Sequence, residues 1–135
     1  MIRKIIRITF AVFFAILLLS CKNTKQKIQE HVNVYNSSAA LFQGKNIRGT
    51  TAKGFLAESK IELRIETDLE QSDSNKLLSN QVFPELLTEM IKNDKISKEL
   101  IEEGVVFDVY FLASNNTILN QQLIDKEKLA ELTKK

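Results

Sequence analysis

Alternation of apolar and polar positions is cleanest at Ile61, Leu63, Ile65 and Thr67, which interleave with Glu62, Arg64, Glu66 and Asp68. A period of two marks a strand with one buried and one wet face. Residues 47–56 hold Thr50, Thr51 and Phe55 but also Gly49, Lys53 and Gly54. This composition fits an edge strand, where glycine and an outward lysine are tolerated and discourage edge-to-edge pairing. Ala57-Glu58-Ser59 between the two runs is short enough for a hairpin. The most apolar run is 105–113, with Val105, Phe107, Val109 and Phe111 on one face. Val106, Tyr110 and Leu112 flank Asp108 on the other. Apolar residues on both faces imply a central strand, or a partner that covers the second face. Ser114-Asn115-Asn116 supplies a turn, using the tolerance of Asn for left-handed backbone. Residues 117–124 then return as a weaker strand carrying Asn120, Gln121 and Gln122.

Helical spacing appears in four places. Ile28, Val32, Tyr35, Ala39 and Phe42 form one stripe, closed by Gly44. Val32, Asn33, Val34, Asn36, Ser37 and Ser38 are poor helix formers, so a strand over 31–35 followed by a helical turn is the alternative. After a polar linker over 68–75, Asn80 can cap a helix with Val82, Phe83, Leu86, Leu87, Met90 and Ile91 inward. Pro84 looks like a breaker, but it lies near that N-terminus, where its missing N–H costs no helical bond. Asp94 can cap a second short helix with Ile96, Leu100 and Ile101 inward, ending at Gly104. Asp125 caps a terminal helix presenting Leu129 and Leu132. The expected fold class is α+β: a four-stranded, mainly antiparallel sheet of two hairpins with helices on one face, in the order α-ββ-αα-ββ-α. Strand order stays open.

The first 21 residues follow another pattern. Met1 to Arg7 carries Arg3, Lys4 and Arg7 and no acid, and residues 8–19 are apolar apart from Thr9. A basic start, a short apolar stretch and a small residue before a cut make a secretory signal peptide. A spanning helix needs about 20 apolar residues, and this run is shorter. At Leu18-Leu19-Ser20-Cys21 the chain resembles the lipobox of bacterial lipoproteins. Leu18, Ser20 and Cys21 stand at the matching positions, while Leu19 is bulkier than the residue usual there. The resemblance implies cleavage before Cys21, diacylglycerol on its sulfur and, in many bacteria, a further acyl chain on its amine. Because Lys22 rather than Asp follows the cysteine, it also implies the outer membrane. The absence of acids after Cys21 favours the periplasmic side. The chemistry agrees: a thiolate is the nucleophile that accepts such a lipid, and two or three long chains anchor durably where one does not. Residues 1–20 are thus expected to be removed, 21–27 to form a lipidated, flexible tether, and 28–135 to form a single domain.

Removing residues 1–20 takes three cations and no acid from a chain with 19 bases and 17 acids, leaving a mature charge near −1. No basic stripe for nucleic acid remains. With one cysteine, no internal disulfide can form, so packing must stabilise the domain.

Candidate chemistry is sparse. His31 is the only histidine, and with Glu30 it offers two metal ligands where zinc needs three or four. It reads as a surface residue on the polar flank of the first helix. Asp68, Glu70, Asp73 and Asn75 place oxygens on one loop but lack the glycine and terminal glutamate of an EF-hand, so a helix-capping loop is expected. Glu99, Glu102 and Glu103 lie near a helix C-terminus, where the dipole disfavours acids. They form either an acidic contact surface or a solvated face with a Lys98–Glu102 pair. No catalytic residue, metal site or cofactor is assigned. The candidate sites are Cys21 for lipidation and Val106, Tyr110 and Leu112 as a partner surface, unless the first helix covers them. The expected function is a non-enzymatic, membrane-anchored module that binds another envelope protein. A carrier of an apolar small molecule or lipid is the alternative, and a hydrolase the third.

Overall fold

The computed structural model describes residues 23–38 and 46–134. The leader, Cys21, Lys22, and Ala39, Phe42 and Gly44 of the first stripe lie outside them. Helix α1 (Thr24–Ser37) is followed by strand β1 (Ile47–Phe55), a single 3-10 turn (Leu56–Glu58) and β2 (Lys60–Thr67). Helices α2 (Asp73–Lys92) and α3 (Lys98–Glu102) come next, then β3 (Val106–Leu112), β4 (Ile118–Ile124) and α4 (Lys126–Thr133). This is the α-ββ-αα-ββ-α order read from the pattern.

The strands lie in sequence order, β1-β2-β3-β4. The hairpins β1–β2 and β3–β4 are antiparallel, and β2 runs parallel to β3. A parallel neighbour requires a long crossover, which α2 and α3 provide. Ile61, Leu63 and Ile65 align with Phe107, Val109 and Phe111, so the two most regular apolar rows fuse into one buried surface. All six of these side chains are buried. The helices cover that face. Phe83 of α2 meets Phe111 with ring centroids 5.3 Å apart, and Ile28 and Tyr35 of α1 join the same core. Leu100 and Ile101 of α3 are buried in it, with Leu129 and Leu132 of α4 packed against its margin. Each Phe buried in this way contributes on the order of 2–3 kcal/mol over leaving it exposed.

Helix starts differ from expectation, each for a local reason. α1 begins at Thr24 because the Asn23 side chain accepts from the Gln26 N–H, so residues 24–27, read as tether, form its first turn. The described part of the first stripe, Ile28, Val32 and Tyr35, is therefore helical, and the strand alternative over 31–35 falls. α2 starts at Asp73, with Ser72 as cap accepting from the Asn75 N–H, and not at Asn80. Its first turns carry Leu77 and Leu78 outward, so no buried stripe announces them. Pro84 consequently sits mid-helix, where the bond it cannot donate makes it a real cost, on the order of 3 kcal/mol. The expected inward set narrows to Phe83, Leu87, Met90 and Ile91, with Leu86 at the margin and Val82 exposed. Ser97 rather than Asp94 caps α3. Asp94 instead adopts φ 59° in the bend between the two helices.

Candidate functional site

With the described helices on one side, the second face of the sheet is fixed by the strand register. Across the middle run Lys53, Glu62, Asp108 and Leu123 in adjacent strands, and beside them Thr51, Arg64, Tyr110 and Gln121. A further row joins Phe55, Lys60 and Val106. The face is thus divided. Its β1–β2 half carries charges, with Lys53 directly opposite Glu62, a favourable cross-strand pair. Lys60 and Lys53 place their ammonium groups 4.8 and 5.2 Å from the centre of the Phe55 ring, within cation–π range. The β3–β4 half is largely apolar.

The sequence-derived partner residues lie in that apolar half. Val106 and Tyr110 are half-buried, while Leu112 is only 2% exposed. Leu112 therefore offers almost no side-chain area to a partner. Ile118 opposite it, and Leu123 opposite Asp108, take its place at 48% and 56% exposed. Pattern reading passed over both because their strand is interrupted by three amides. Val106 and Tyr110 face away from the core that holds Ile28 and Tyr35 of α1.

A polar knot sits within the apolar half. Asp108 is 5% exposed, and a buried carboxylate requires partners. The Tyr110 hydroxyl donates to its Oδ2 at 3.1 Å and Gln121 Nε2 to its Oδ1 at 2.9 Å. Partial desolvation, then the bond to Asp108, raise the Tyr110 pKa. The knot ties β3 to β4 and fixes the Tyr110 ring on the sheet surface. A rigid aromatic body with a satisfied hydroxyl suits a contact anchor, since little side-chain freedom is left to lose.

The remaining candidates resolve into structural roles. His31 is half-buried, not a surface residue. Its ring meets Phe107 edge-on at 5.4 Å, and Nε2 lies 2.8 Å from the Lys95 carbonyl. A carbonyl only accepts, so Nε2 carries the proton. Desolvation lowers the His31 pKa, with the Lys95 carbonyl and Asp94 opposing it. Ser97 lies in the same shallow depression as His31, with Lys27, Glu30 and Glu99. Its hydroxyl accepts from the Leu100 N–H as the α3 cap, and it makes no hydrogen bond to His31 among the described residues. Nucleophile and base types are present there without the bond that would couple them. Lys27 of α1 pairs with Glu103 at 2.9 Å and Glu99 at 3.2 Å, so these acids link α3 to α1. In the 68–75 loop the Asn75 side chain donates to the Glu70 carbonyl, and Asp73 occupies the first turn of α2. Those groups serve the helix start.

No protein-family model matches the chain, and no characterised protein matches it in sequence. Among solved structures, it is similar to the type II secretion system pilotin AspS from Vibrio cholerae. The similarity has a TM-score of 0.48 and 14% identity over 76% of this chain and 95% of that one.

Proposed function

We propose that this chain is a non-enzymatic accessory lipoprotein of the bacterial envelope. It is anchored through Cys21, faces the periplasm from the outer membrane, and binds another envelope protein on the sheet face opposite the described helices. The carrying observation is the one-sided packing. Every described helix lies on the face of Phe107 and Phe111, leaving Val106, Tyr110, Ile118 and Leu123 on the other. Apolar area framed by polar groups is the usual character of a protein contact. The charged half formed by Lys53, Glu62 and Arg64 supplies the rim.

Cys21 adds a positional argument. Helix α1 is capped at Asn23, two residues after the lipid-bearing position. Two extended residues span about 7 Å, so the start of α1 rides close to the bilayer and swings little. Such an anchor restricts the domain to partners in or beside the same membrane. The carrier reading is weaker, because the space between helices and sheet is filled by Phe83, Phe107, Phe111 and their neighbours.

Two experiments test this. Cys21→Ala should abolish incorporation of a fatty-acid label and leave unprocessed precursor; normal labelling would overturn the anchor. Mild cross-linking in cells, followed by purification of the full-length protein, should recover a stoichiometric protein partner that Tyr110→Ala loses. Recovery of the same partner by Tyr110→Ala and by a Val106→Asp variant would move the contact off this face.

A further inference from the structure

The turn between β1 and β2 stands at the end of the domain where α1 begins. The helix runs antiparallel to β1: Tyr35, late in it, bonds Thr50, while a Cβ at Gly54 would meet Ile28, early in it. Ile28 lies four residues after Thr24, about 6 Å along the helix axis. Phe55 follows Gly54 by one residue, about 3.3 Å of strand, and the 3-10 turn Leu56–Glu58 comes next. The tip of the hairpin and the first turn of α1 are therefore at about the same level. Cys21 precedes the capping Asn23 by two residues.

This tip carries an aromatic ring among lysines. Phe55 is half-buried, and the ammonium groups of Lys60 and Lys53 lie 4.8 and 5.2 Å from its centre. Like charges drawn to one ring repel each other. Glu58, 3.4 Å from Lys60, answers one of them. Lys53 makes no ion pair among the described residues: Glu62 stands opposite it in the register, yet its ammonium group lies over the ring. Lys25 is exposed in the first turn of α1, three residues before Ile28 and so on the side that meets Gly54. Around the ring, Lys25, Lys53 and Lys60 thus outnumber Glu58 and Glu62, and Lys22 adds a further cation next to Cys21 in sequence. On α3 at the same end, Glu99 and Glu103 pair with Lys27, and Lys98 precedes Glu102 by one turn.

We propose that the β1–β2 tip is a second membrane contact, in which Phe55 settles among lipid headgroups while Lys25, Lys53 and Lys60 bond the phosphates of anionic lipids. An apolar side chain ringed by lysines suits the bilayer interface, where apolar burial and attraction to anionic lipid add. A single attachment point leaves rotation about it unrestrained. A second contact sets the tilt of the domain and presents the Val106–Tyr110 face in one direction relative to the bilayer. The inference rests on the anchor at Cys21.

The chain has no tryptophan, so one introduced indole reports its own surroundings. The test places the full-length protein, purified from membranes with its lipid, in vesicles of phosphatidylcholine with or without phosphatidylglycerol. Phe55→Trp is the reporter, with Ala57→Trp at the exposed tip as a second that disturbs no half-buried ring. Val34→Trp, exposed toward the far end of α1, is the reference. With phosphatidylglycerol present, emission from both tip reporters should shift to the blue and be quenched by lipid brominated near the headgroup. Emission from Val34→Trp should do neither. The shift should shrink in high salt and be lost when Lys25→Glu and Lys53→Glu, both at exposed sites, are combined. Tip reporters no more quenched than Val34→Trp would overturn the proposal and leave the anchor standing. So would quenching indifferent to phosphatidylglycerol and to the lysine changes. Protein that floats with neither kind of vesicle would overturn the anchor and this inference with it.

Discussion

Asn36 and Ala52 are joined by a pair of hydrogen bonds, 2.7 and 3.0 Å, in which a side-chain amide stands in for a missing strand. The contact locks α1 to the β1 edge of the sheet. Asn36→Leu should leave both Ala52 backbone groups to solvent and cost about 1–2 kcal/mol, measured as a lower denaturant midpoint. It should also raise the tendency to aggregate, because the β1 edge becomes available. Unchanged stability would mean that water replaces the amide without loss.

The approach of α1 to β1 depends on the absence of a side chain at Gly54. A Cβ there would lie 3.1 Å from Ile28 Cγ2 and 3.5 Å from Val32 Cγ2. Gly54→Val should be destabilising by about 1–3 kcal/mol through overpacking. Combining it with Ile28→Val should recover part of that loss, read as non-additivity in denaturation midpoints.

Burial of His31 makes stability depend on pH. Desolvation holds its folded pKa below the ordinary 6.5, so the unfolded chain takes up the proton first. Below about pH 6.5 the unfolded state binds more protons, and stability falls as pH falls until the folded pKa is reached. The groups facing the ring are the Lys95 carbonyl and Asp94, both of which moderate the effect without reversing it. His31→Gln should flatten the loss between neutral and mildly acidic pH in thermal melts.

The Tyr35 hydroxyl shares a 2.5 Å hydrogen bond with that of Thr50, and burial pushes its pKa up to about 12. The neutral phenol is favoured in the folded state, so the stability it lends is complete below about pH 10 and is lost as pH rises from there toward about 12. Absorbance titration should show delayed tyrosinate formation. Tyr35→Phe should remove the delayed component assigned to this residue.

Much of the fold was readable because the strands have clean periodicity. Residues 61–67 and 105–113 define two buried rows, and the parallel register of Ile61 with Phe107 brings those rows together. Helix starts were harder, since Ser72 and Ser97 cap through local side-chain bonds that no apolar stripe announces. Asn36 counts against a helix by propensity, yet its value lies at the edge of a strand 16 residues away. The candidate face was legible in Val106 and Tyr110. Leu112 had the right alternation, but alternation assigns a face and not an exposure. Leu123 and Ile118 were hidden by the amides between them.

The most direct test of the account places a photo-activated cross-linking amino acid at Val106 in the full-length protein and irradiates intact cells. Val106 is half-buried on the face opposite the described helices, so the probe reports what covers that surface. One discrete protein adduct, lost when Tyr110→Ala is added, is the predicted result. Lipid adducts alone, or no adduct in cells where a probe at exposed Val34 of α1 does capture protein, would contradict it.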